Sequence, residues 1–557
     1  MTPVLNAKGF ALGVASPKTM WVDRYIAPQN RDGVDYSGVD SGARDAEDMR
    51  YYARQTLPPG TDAGKVDFAE LDPQHIERFK EKLATGKPLY GATIVHGGCS
   101  ARFDGILPDP EKGGFKLIGI SAVCTVKPEH VDRLAFQTWL LDQVDVKVTS
   151  QSFLHLNGDF VKDGQIKAAD LIVNADVTAL VEKAVTGTPG IPAIPDIPGV
   201  RASKGVPAIK AIKGTKGVEA IPSVEETVTK LLSVLANKSR APVEPETFCP
   251  EIDDANLPKH HPHTLTNGRD KKIRAIFELG CTDLAHIPPS IELSPTQIVQ
   301  VEAIQTGKVQ MDRAKLGMFF SKLQYPLQYL DFETMQTAIP MYDGSKPYQQ
   351  IPFQFSLHTV DSPGAAPRHK EFLSESAEDP RPAFFSALKG SLEKDGTIVC
   401  YNSTFETSRL QEGAEQFPEH KEWVEKALPR VEDLLAPFRS FAYYHPEQKG
   451  STSIKAVLPA LTGGTYDNMA IGDGKTASRQ YMRMVFGDIE RSEAAAISTN
   501  LRAYCGMDTK SLIQVHEIVE GDMMGLRKGR EPLPHLAIAP TVRAGEIPGH
   551  QPALFEF

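Results

Sequence analysis

The feature that most restricts the fold of this chain is an apolar run that contains two acids, YLDFET at residues 329–334. In a β-strand, residues i and i+2 point to the same face, so Asp331 and Glu333 would share one face of the strand. Their neighbours Leu330 and Phe332 would then point to the opposite face. Carboxylates on a strand with buried neighbours need a compensating partner. The run therefore predicts a buried strand that presents two acids to a common partner.

Two later segments carry acids beside predicted buried elements. GTIVCYNSTFETSRL (396–410) predicts a strand at 398–401, a turn at Asn402, and a helix that presents Phe405 and Glu406 near its N-terminus. NLRAYCGMDTKSLIQVHEIV (500–519) predicts a helix with Asp508 on its apolar stripe. Tyr504 precedes Asp508 by one helical turn, so the two side chains would be neighbours on one face.

Four acids on predicted buried elements favour a shared metal ion. Hard divalent cations such as Mg²⁺ and Mn²⁺ prefer carboxylate oxygens, and four acids supply them without histidine or thiolate. Acid-x-acid pairs are frequent by chance, so the apolar setting of Asp331 and Glu333 is the stronger part of this argument.

The same residues resemble the three motifs of the DEDD superfamily of ribonuclease-H-like 3′→5′ exonucleases. These are D-x-E at 331–333, N-x-x-F-[D/E] at 402–406 and Y-x-x-x-D at 504–508. With its tyrosine, the third motif resembles that of the DEDDy branch. The stretch from about 320 to 520 also resembles a bacterial domain family of unknown function that is placed in this superfamily. The second motif usually ends in Asp, whereas Glu406 is one methylene longer, and Glu also occurs there in that bacterial family.

The resemblance implies phosphodiester hydrolysis with two magnesium or manganese ions. In this arrangement Asp331 would bridge both ions, and Glu333 and Asp508 would lie on the side of the attacking water. Glu406 would act on the second ion mostly through water. Tyr504 would orient the attacking water.

Three further residues have expected roles around this site. Asn402 and Lys455 are the expected substrate-binding residues, with Lys455 meeting a phosphate. A solvated helix lysine is an equally good explanation of Lys455. Asp433 is expected to be a structural cap or a supporting acid.

The N-terminal part has a second α/β pattern at about 90–180, around the predicted helix PEHVDRLAFQTWLLDQV. It resembles a RecB-type PD-(D/E)XK nuclease of the CRISPR-associated, iron–sulfur-bearing kind, with Asp104 and Gln137 at two motif positions. The E-x-K of that family is replaced by the residues at 119–121, Gly-Ile-Ser. Without this Glu and Lys, the domain is expected to be catalytically inactive and to serve as a scaffold or nucleic-acid clamp.

No iron–sulfur cluster is expected either. Ser16 occupies one position where a cluster cysteine is expected, and only Cys249 and Cys281 remain near the others. The stretch KHHPH (259–263) near Cys249 has residue types that bind zinc, but a solvated polar loop is the simpler interpretation.

The predicted organisation is therefore α/β, with a degenerate RecB-like PD-(D/E)XK domain followed by a ribonuclease-H-like domain. The first spans 1–285 and contains a Pro/Gly/Lys-rich insertion at 186–222, whose repeats (GIPAI, GVPAI, GVEAI) disfavour helix and sheet. A solvated loop is favoured there over a phosphate-binding arm. Helices are also predicted at about 223–237 and 295–307. A helical connector at 286–320, the DEDDy-type domain at 321–520 and an irregular tail at 521–557 complete the prediction.

Composition limits the remaining possibilities. The chain has 61 basic and 71 acidic residues and a net charge of −10, which does not indicate nucleic-acid binding but permits a local basic groove. Six scattered cysteines do not form a disulfide framework, and no signal sequence or membrane span is evident. A cytoplasmic location without membrane attachment is expected, with nucleic acid as the partner, DNA favoured over RNA. The alternative is a non-catalytic nucleic-acid-binding or assembly protein in which both nuclease folds are inactive; oligomeric state is not indicated.

Overall fold

The computed structural model describes residues 5–26, 41–64, 74–189, 220–253, 257–466 and 469–526. The chain divides into two compact units, one formed by residues 1–34 and 45–251 and the other by residues 35–44 and 252–557. Both units combine helices with sheets that contain parallel and antiparallel pairs, so the predicted α/β class is confirmed. Most of the predicted insertion (190–219) and the tail beyond 526 lie outside the described residues.

The described residues of the first unit contain nine strands: β1 Leu5–Asn6, β2 Thr61–Asp62, β3 Leu89–Tyr90, β4 Thr93–His96, β5 Cys99–Arg102, β6 Gly105–Asp109, β7 Gly114–Ile120, β8 Val148–Leu156 and β9 Ile172–Asp176. They form a six-stranded sheet of order β2-β3-β6-β7-β8-β9 and a three-stranded sheet of order β1-β5-β4.

The helices that precede residue 254 are α1 Ala7–Ala15, α2 Pro17–Tyr25, α3 Ser41–Gln55, α4 His75–Ala84, α5 Pro128–Asp142, α6 Ala168–Leu171, α7 Thr178–Thr186, α8 Val224–Ala236 and α9 Pro250–Asp253. Strands β7 and β8 are parallel, and α5 connects them. Adjacent parallel strands need such a crossover, because a tight turn can join only antiparallel strands. The predicted helices at about 128–144 and 223–237 are thus confirmed as α5 and α8.

The second unit contains strands β10 Gln310–Met311, β11 Leu327–Met335, β12 Ile351–Val360, β13 Arg368–Leu373, β14 Ile398–Cys400, β15 Val431–Asp433 and β16 Tyr443–Tyr444. Its main sheet has the order β13-β12-β11-β14-β15. Strand β12 is antiparallel to both neighbours, whereas β11, β14 and β15 run parallel. β10 and β16 form a separate antiparallel pair.

Its helices are α10 Asp270–Glu278, α11 Pro295–Thr306, α12 Arg313–Phe320, α13 Pro380–Ser391, α14 Thr404–Gln416, α15 Lys421–Ala427, α16 Ala436–Arg439, α17 Ile454–Thr462, α18 Gly474–Phe486 and α19 Arg491–Met524. Short 3₁₀ turns lie at Pro262–Thr264, Leu284–His286, Pro418–His420, Leu428–Arg430 and Pro446–Gln448. Helix α11 confirms the helix predicted at about 295–307. Helix α19 continues to Met524, so residues 521–524 are helical where the irregular tail was predicted to begin.

The main sheet of the second unit has an apolar core on each face. Leu327, Tyr329 and Met335 belong to one core together with residues of α17, α18 and α19. Leu330 and Phe332 belong to the other core with residues of α13, α14 and α15. Strand β11 is therefore covered on both sides, which explains why its apolar residues do not simply alternate with polar ones.

Among the described residues, no helix combines the length and the apolar composition needed to cross a membrane.

Candidate metal centre

Strand β11 directs two carboxylates toward α19. The period of two places Asp331 and Glu333 on the face that carries Leu327, Tyr329 and Met335, the face that α19 covers. Glu333 is buried and Asp331 is partly exposed. The predicted shared face of the two acids is thus confirmed.

Helix α19 supplies the third acid. Asp508 is 9% exposed and Tyr504, one turn earlier, is 4% exposed, so both lie on the buried side of the helix. Asp331, Glu333 and Asp508 each offer a carboxylate oxygen, and these atoms lie within 4.8 Å of one another. Residues far apart in sequence thus form a group compact enough for one cation.

The fourth acid comes from the first turn of α14, as predicted. Asn402, with φ +68°, forms the turn between β14 and α14, and Glu406 follows it with 2% exposure. Glu406 is not within the compact group of three acids. Its charge nevertheless raises the pKa of both Asp331 and Glu333. Among the described residues, Glu406 Oε2 has no hydrogen-bond partner.

All four acids have raised pKa values, and burial is the largest cause of each rise. Burial, followed by the charge of Asp508, raises the pKa of Asp331 and of Glu333 well above the usual range. Burial raises the pKa of Glu406 to about 8. Burial also raises the pKa of Asp508, but only to about 6, because hydrogen bonds from tyrosine side chains and the charge of Lys455 oppose the rise. A divalent cation would offset the repulsion that the neighbouring carboxylates exert on Asp331 and Glu333.

Lys455 lies at this site, although its side chain is exposed. Its Nζ donates a hydrogen bond to the carbonyl of Gly472 at 2.7 Å and lies 5.6 Å from the ring centre of Tyr504. Its charge lowers the pKa of Glu333 and Asp508. The ammonium group of Lys455 therefore faces the acids. A lysine that is solvated on an unrelated helix face would not do so.

Two residues at the site were missed by the sequence analysis. Tyr466 donates a hydrogen bond to Asp508 Oδ1 at 2.8 Å. Asp473 raises the pKa of Glu333 through its charge and caps the N-terminus of α18 by accepting from the amide of Thr476. The cap pattern before α18 was readable in the sequence, but Tyr466 lies within the loop between α17 and α18, which has no periodic signal.

Asn402 and Asp433 occupy the edge of the site. The side-chain oxygen of Asn402 accepts a hydrogen bond from Arg439 at 3.2 Å, and the residue is exposed. Asp433 Oδ1 accepts from the amides of Asn402 at 2.8 Å and Leu435 at 3.0 Å. Asp433 therefore binds two backbone amides next to the site, although it does not cap the N-terminus of α16.

The motif residues of the first unit have structural partners. Asp104 Oδ2 accepts a hydrogen bond from the amide of Ile120 at 2.9 Å, and Gln137 Nε2 donates to the carbonyl of Arg102 at 2.8 Å. A Cβ atom added at Gly119 would lie 2.9 Å from Phe153 Cδ2, which is closer than such atoms approach each other. The backbone there has no room for an acid without rearrangement of the core.

Ser16 and the histidine stretch also have identifiable surroundings. Ser16 caps α2 by accepting from the amide of Thr19 at 3.0 Å, and its hydroxyl donates to Glu244. The interpretation of 259–263 as a solvated loop is wrong for His261, which is buried and pairs with the ring of His263 at 5.6 Å between centres. This stretch packs at the 3₁₀ turn Pro262–Thr264.

Comparison with known proteins gives one family match. A family model described as a domain of unknown function (DUF2779) matches residues 328–453. The match includes Asp331, Glu333 and Glu406, whereas Asp508 lies beyond it.

Three curated relatives are similar to parts of the chain. Uncharacterized protein UU173 of Ureaplasma parvum is 24% identical over 335 residues, which cover 53% of this chain and 48% of the relative. Uncharacterized protein MG366 homolog of Mycoplasma pneumoniae is 24% identical over 230 residues, covering 37% of this chain and 34% of the relative. Uncharacterized protein MG366 of Mycoplasma genitalium is 25% identical over 215 residues, covering 35% and 32%. The chain thus spans half or less of the length of these relatives, and no solved structure matches it.

Proposed function

We propose that the second unit is a divalent-metal-dependent nuclease of the DEDDy type, which hydrolyses phosphodiesters from the 3′ end of a nucleic acid. The observation that carries the proposal is the convergence of Asp331, Glu333 and Asp508 on one point from β11 and α19. DNA is the favoured substrate, with RNA as the other candidate.

The topology of the sheet supports this assignment. Numbered in chain order from β11 to β15, the strands of the main sheet have the spatial order 3-2-1-4-5. The second strand, β12, is antiparallel to both of its neighbours, and the other four strands run in one direction. This mixed five-stranded order is compatible with the ribonuclease-H-like fold that the sequence resemblance implies. The acids lie on β11, on α14 after the fourth strand, and on α19, the last helix in the described part of the unit, as the resemblance implies.

The donor set fits magnesium or manganese. All candidate ligands are carboxylate oxygens, which hard divalent cations prefer over nitrogen or sulfur. Glu406 Oε2 is buried and, among the described residues, lacks a partner, which is costly for a carboxylate unless a ligand satisfies it. Asp331, Glu333 and Asp508 would hold one ion, and Asp331 and Glu406 would face a second. When bound, such ions stabilise the attacking and leaving oxygens of an in-line displacement.

The side chains around the acids have separable roles in this proposal. Burial and the charge of Asp508 raise the pKa of Tyr504, so its hydroxyl stays protonated and orients a water rather than removing a proton from it. The charge of Lys455 lowers the pKa of Glu333 and Asp508, and its side chain is exposed enough to meet a substrate phosphate. These residues position the nucleophile and the substrate.

The first unit is proposed to be a degenerate RecB-like domain that acts as a scaffold or nucleic-acid clamp. The absence of an acid at 119 and of a lysine at 121, together with the crowding around Gly119, supports this role. An α/β fold alone does not indicate function, so this part of the proposal depends on those residues.

The decisive experiment is a nuclease assay on labelled single- and double-stranded DNA and RNA with Mn²⁺. We expect ladders of shortened products from the wild type, and background activity from Asp331→Asn, which removes the charge and keeps the shape. The matched control is Asp361→Asn, because Asp361 is an exposed acid at the end of β12 that pairs with Arg368. Activity in excess chelator, or full activity of Asp331→Asn, contradicts the proposal. Binding without turnover, unchanged by Asp331→Asn, would favour the non-catalytic alternative.

A further inference from the structure

We propose that Tyr466 is a positioning residue of the metal centre, which holds Asp508 in the orientation that a cation needs. The inference rests on the proposed function, because it assigns a supporting partner to one of the proposed metal ligands. The residue lies in the loop between α17 and α18, outside the three motifs.

The geometry joins the Tyr466 hydroxyl to α19 at two points. It donates to Asp508 Oδ1 at 2.8 Å, and Ser511 Oγ lies 3.3 Å away as a second acceptor. The Ser511 hydroxyl itself donates to the carbonyl of Met507 at 2.7 Å, so its oxygen is free to accept. The single hydroxyl proton of Tyr466 is therefore directed at α19, with the shorter contact on the carboxylate.

A donor on one carboxylate oxygen fixes the rotation of the carboxyl group. Partners that hydrogen-bond to metal ligands orient them, and their removal typically costs 10–100-fold in metal affinity or activity. Without this hydrogen bond, the side chain of Asp508 could populate more than one rotamer. The hydrogen bond from Tyr466 stabilises one of these rotamers.

The same loop also places Lys455. Gly472, at the other end of the loop, accepts the hydrogen bond from Lys455 Nζ. That Nζ lies 5.7 Å from the Tyr466 ring centre and 5.6 Å from the Tyr504 ring centre. The two rings are themselves 6.3 Å apart and steeply inclined at 66°. The same loop thus contacts both the carboxylate of Asp508 and the ammonium group of Lys455, the candidate phosphate-binding residue.

The competing explanation is that Tyr466 is a core aromatic. Its ring is 6% exposed and belongs to the core that also contains Tyr504 and Leu501. A phenylalanine would fill that role equally well, so Tyr466→Phe separates the two explanations: it keeps the ring and removes only the hydroxyl.

The test is the affinity of the full chain for Mn²⁺ alone, followed by the electron paramagnetic resonance signal of the ion, with melting temperature measured in parallel. The matched control is Tyr443→Phe. Tyr443 is also buried, and its hydroxyl donates to Asp522 on α19 at 2.7 Å, about 21 Å along the helix from Asp508. Both variants remove a tyrosine–aspartate hydrogen bond from the same helix.

We expect Tyr466→Phe to raise the Mn²⁺ dissociation constant by about 10-fold and Tyr443→Phe to leave it unchanged. Ser511→Ala removes the competing acceptor and should keep Mn²⁺ affinity at the wild-type level. Equal affinity of Tyr466→Phe and wild type, or an equal loss in Tyr443→Phe, would overturn the inference and leave the proposed function standing. A loss of affinity in Ser511→Ala as large as in Tyr466→Phe would assign the effect to packing and also overturn it. A wild type that binds no Mn²⁺ would defeat both proposals.

Discussion

Tyr504 is the residue that distinguishes the proposed tyrosine-assisted chemistry from a helix that merely carries an aromatic side chain. Tyr504→Phe keeps the ring and removes the hydroxyl near Asp508. Because a positioned group of this kind typically contributes 10²–10⁴-fold in rate, we expect turnover to fall by about 10²-fold. Metal affinity should change less than in Tyr466→Phe, because Tyr466 donates directly to Asp508 Oδ1 at 2.8 Å.

Measuring rate and melting temperature together checks this expectation. Tyr504→Ala serves as the packing control, since it leaves a cavity in the core and should lower stability by about 3–5 kcal/mol, as large-to-small aromatic substitutions do. A Phe variant at full rate would remove the Tyr504 hydroxyl from the mechanism.

The raised pKa values of the acids predict a pH dependence of stability. Folding raises the pKa of Glu406 from 4.5 to about 8, and that of Asp508 from 3.8 to about 6. Between these limits the folded state binds more protons than the unfolded chain, so stability falls as pH rises. The contribution of Glu406 is fully present below about pH 4.5 and is lost as pH rises through about 8.

Without divalent ions, the melting temperature of the wild type should therefore decrease from pH 5 to pH 8. The melting temperature of Glu406→Gln should decrease less over this range, because the glutamine side chain does not titrate. Mn²⁺ should raise the melting temperature more at pH 8 than at pH 5, because protons compete with the cation for the carboxylates. Identical pH profiles for wild type and Glu406→Gln, recorded in chelator, would contradict the assigned cause.

The four acids were predictable because each lies in a local pattern. Asp331 and Glu333 interrupt an apolar strand, Glu406 follows a strand and turn, and Asp508 lies on an apolar helical stripe. Tyr466 was not predictable, because its role depends on a contact between a loop and α19 that no sequence period encodes. The distinction between the compact group of three acids and the more separate Glu406 is likewise a property of the assembled sheet and helices.

At the scale of elements, α19 is tied to β12 by a buried polar cluster beside the metal centre. Thr509 Oγ1 lies 2.7 Å from Ser356 Oγ and 2.8 Å from His358 Nδ1, and all three atoms are within hydrogen-bond distance of a partner on the other element. Ser356 is the cross-strand partner of Asp331. The cluster therefore sets the position of α19 along the sheet close to the acids.

Thr509→Val should test this connection, because valine has nearly the same shape and no hydroxyl. Ser356 keeps its hydrogen bond to His369, whereas His358 Nδ1 loses its Thr509 partner. Such a loss typically costs about 1–3 kcal/mol, and we expect a loss of this size in urea unfolding. Thr499→Val is the matched control: Thr499 is exposed on α19 and donates to the carbonyl of Ala495 within the helix. Equal small effects in both variants would show that the cluster does not hold the helix.

The elements themselves followed largely from sequence pattern. Apolar period and capping residues indicated β11, α5, α8 and α11, since these signals act within a few residues. The length of α19 did not follow in the same way. It begins at Arg491, before its apolar stripe, and ends at Met524, where Gly525 adopts a left-handed conformation. Tertiary packing along one side of the helix extends it beyond the segment that pattern alone indicates.

At the scale of the whole molecule, the two α/β units differ in the arrangement of their acidic side chains. A chain of 557 residues is long enough to predict more than one domain, because single cores stop growing at a few hundred residues. The compact group of metal-ligand residues found among the described residues lies in the second unit. The first unit retains Asp104 and Gln137, but both make hydrogen bonds to the backbone of their own unit. This difference predicts where hydrolysis takes place.

Asp104→Ala should leave the nuclease rate unchanged while lowering stability. The side chain accepts the amide of Ile120, and its loss leaves that donor without its partner, which typically costs about 1–3 kcal/mol. Asp104→Asn keeps an acceptor oxygen and removes the charge, so it should retain both rate and stability. The two variants are compared with Asp331→Asn in the same Mn²⁺ assay, at a temperature below the melting transition of each. If Asp104→Asn lost as much activity as Asp331→Asn, a charge in the first unit would be required for hydrolysis, and the reaction would have been assigned to the wrong unit.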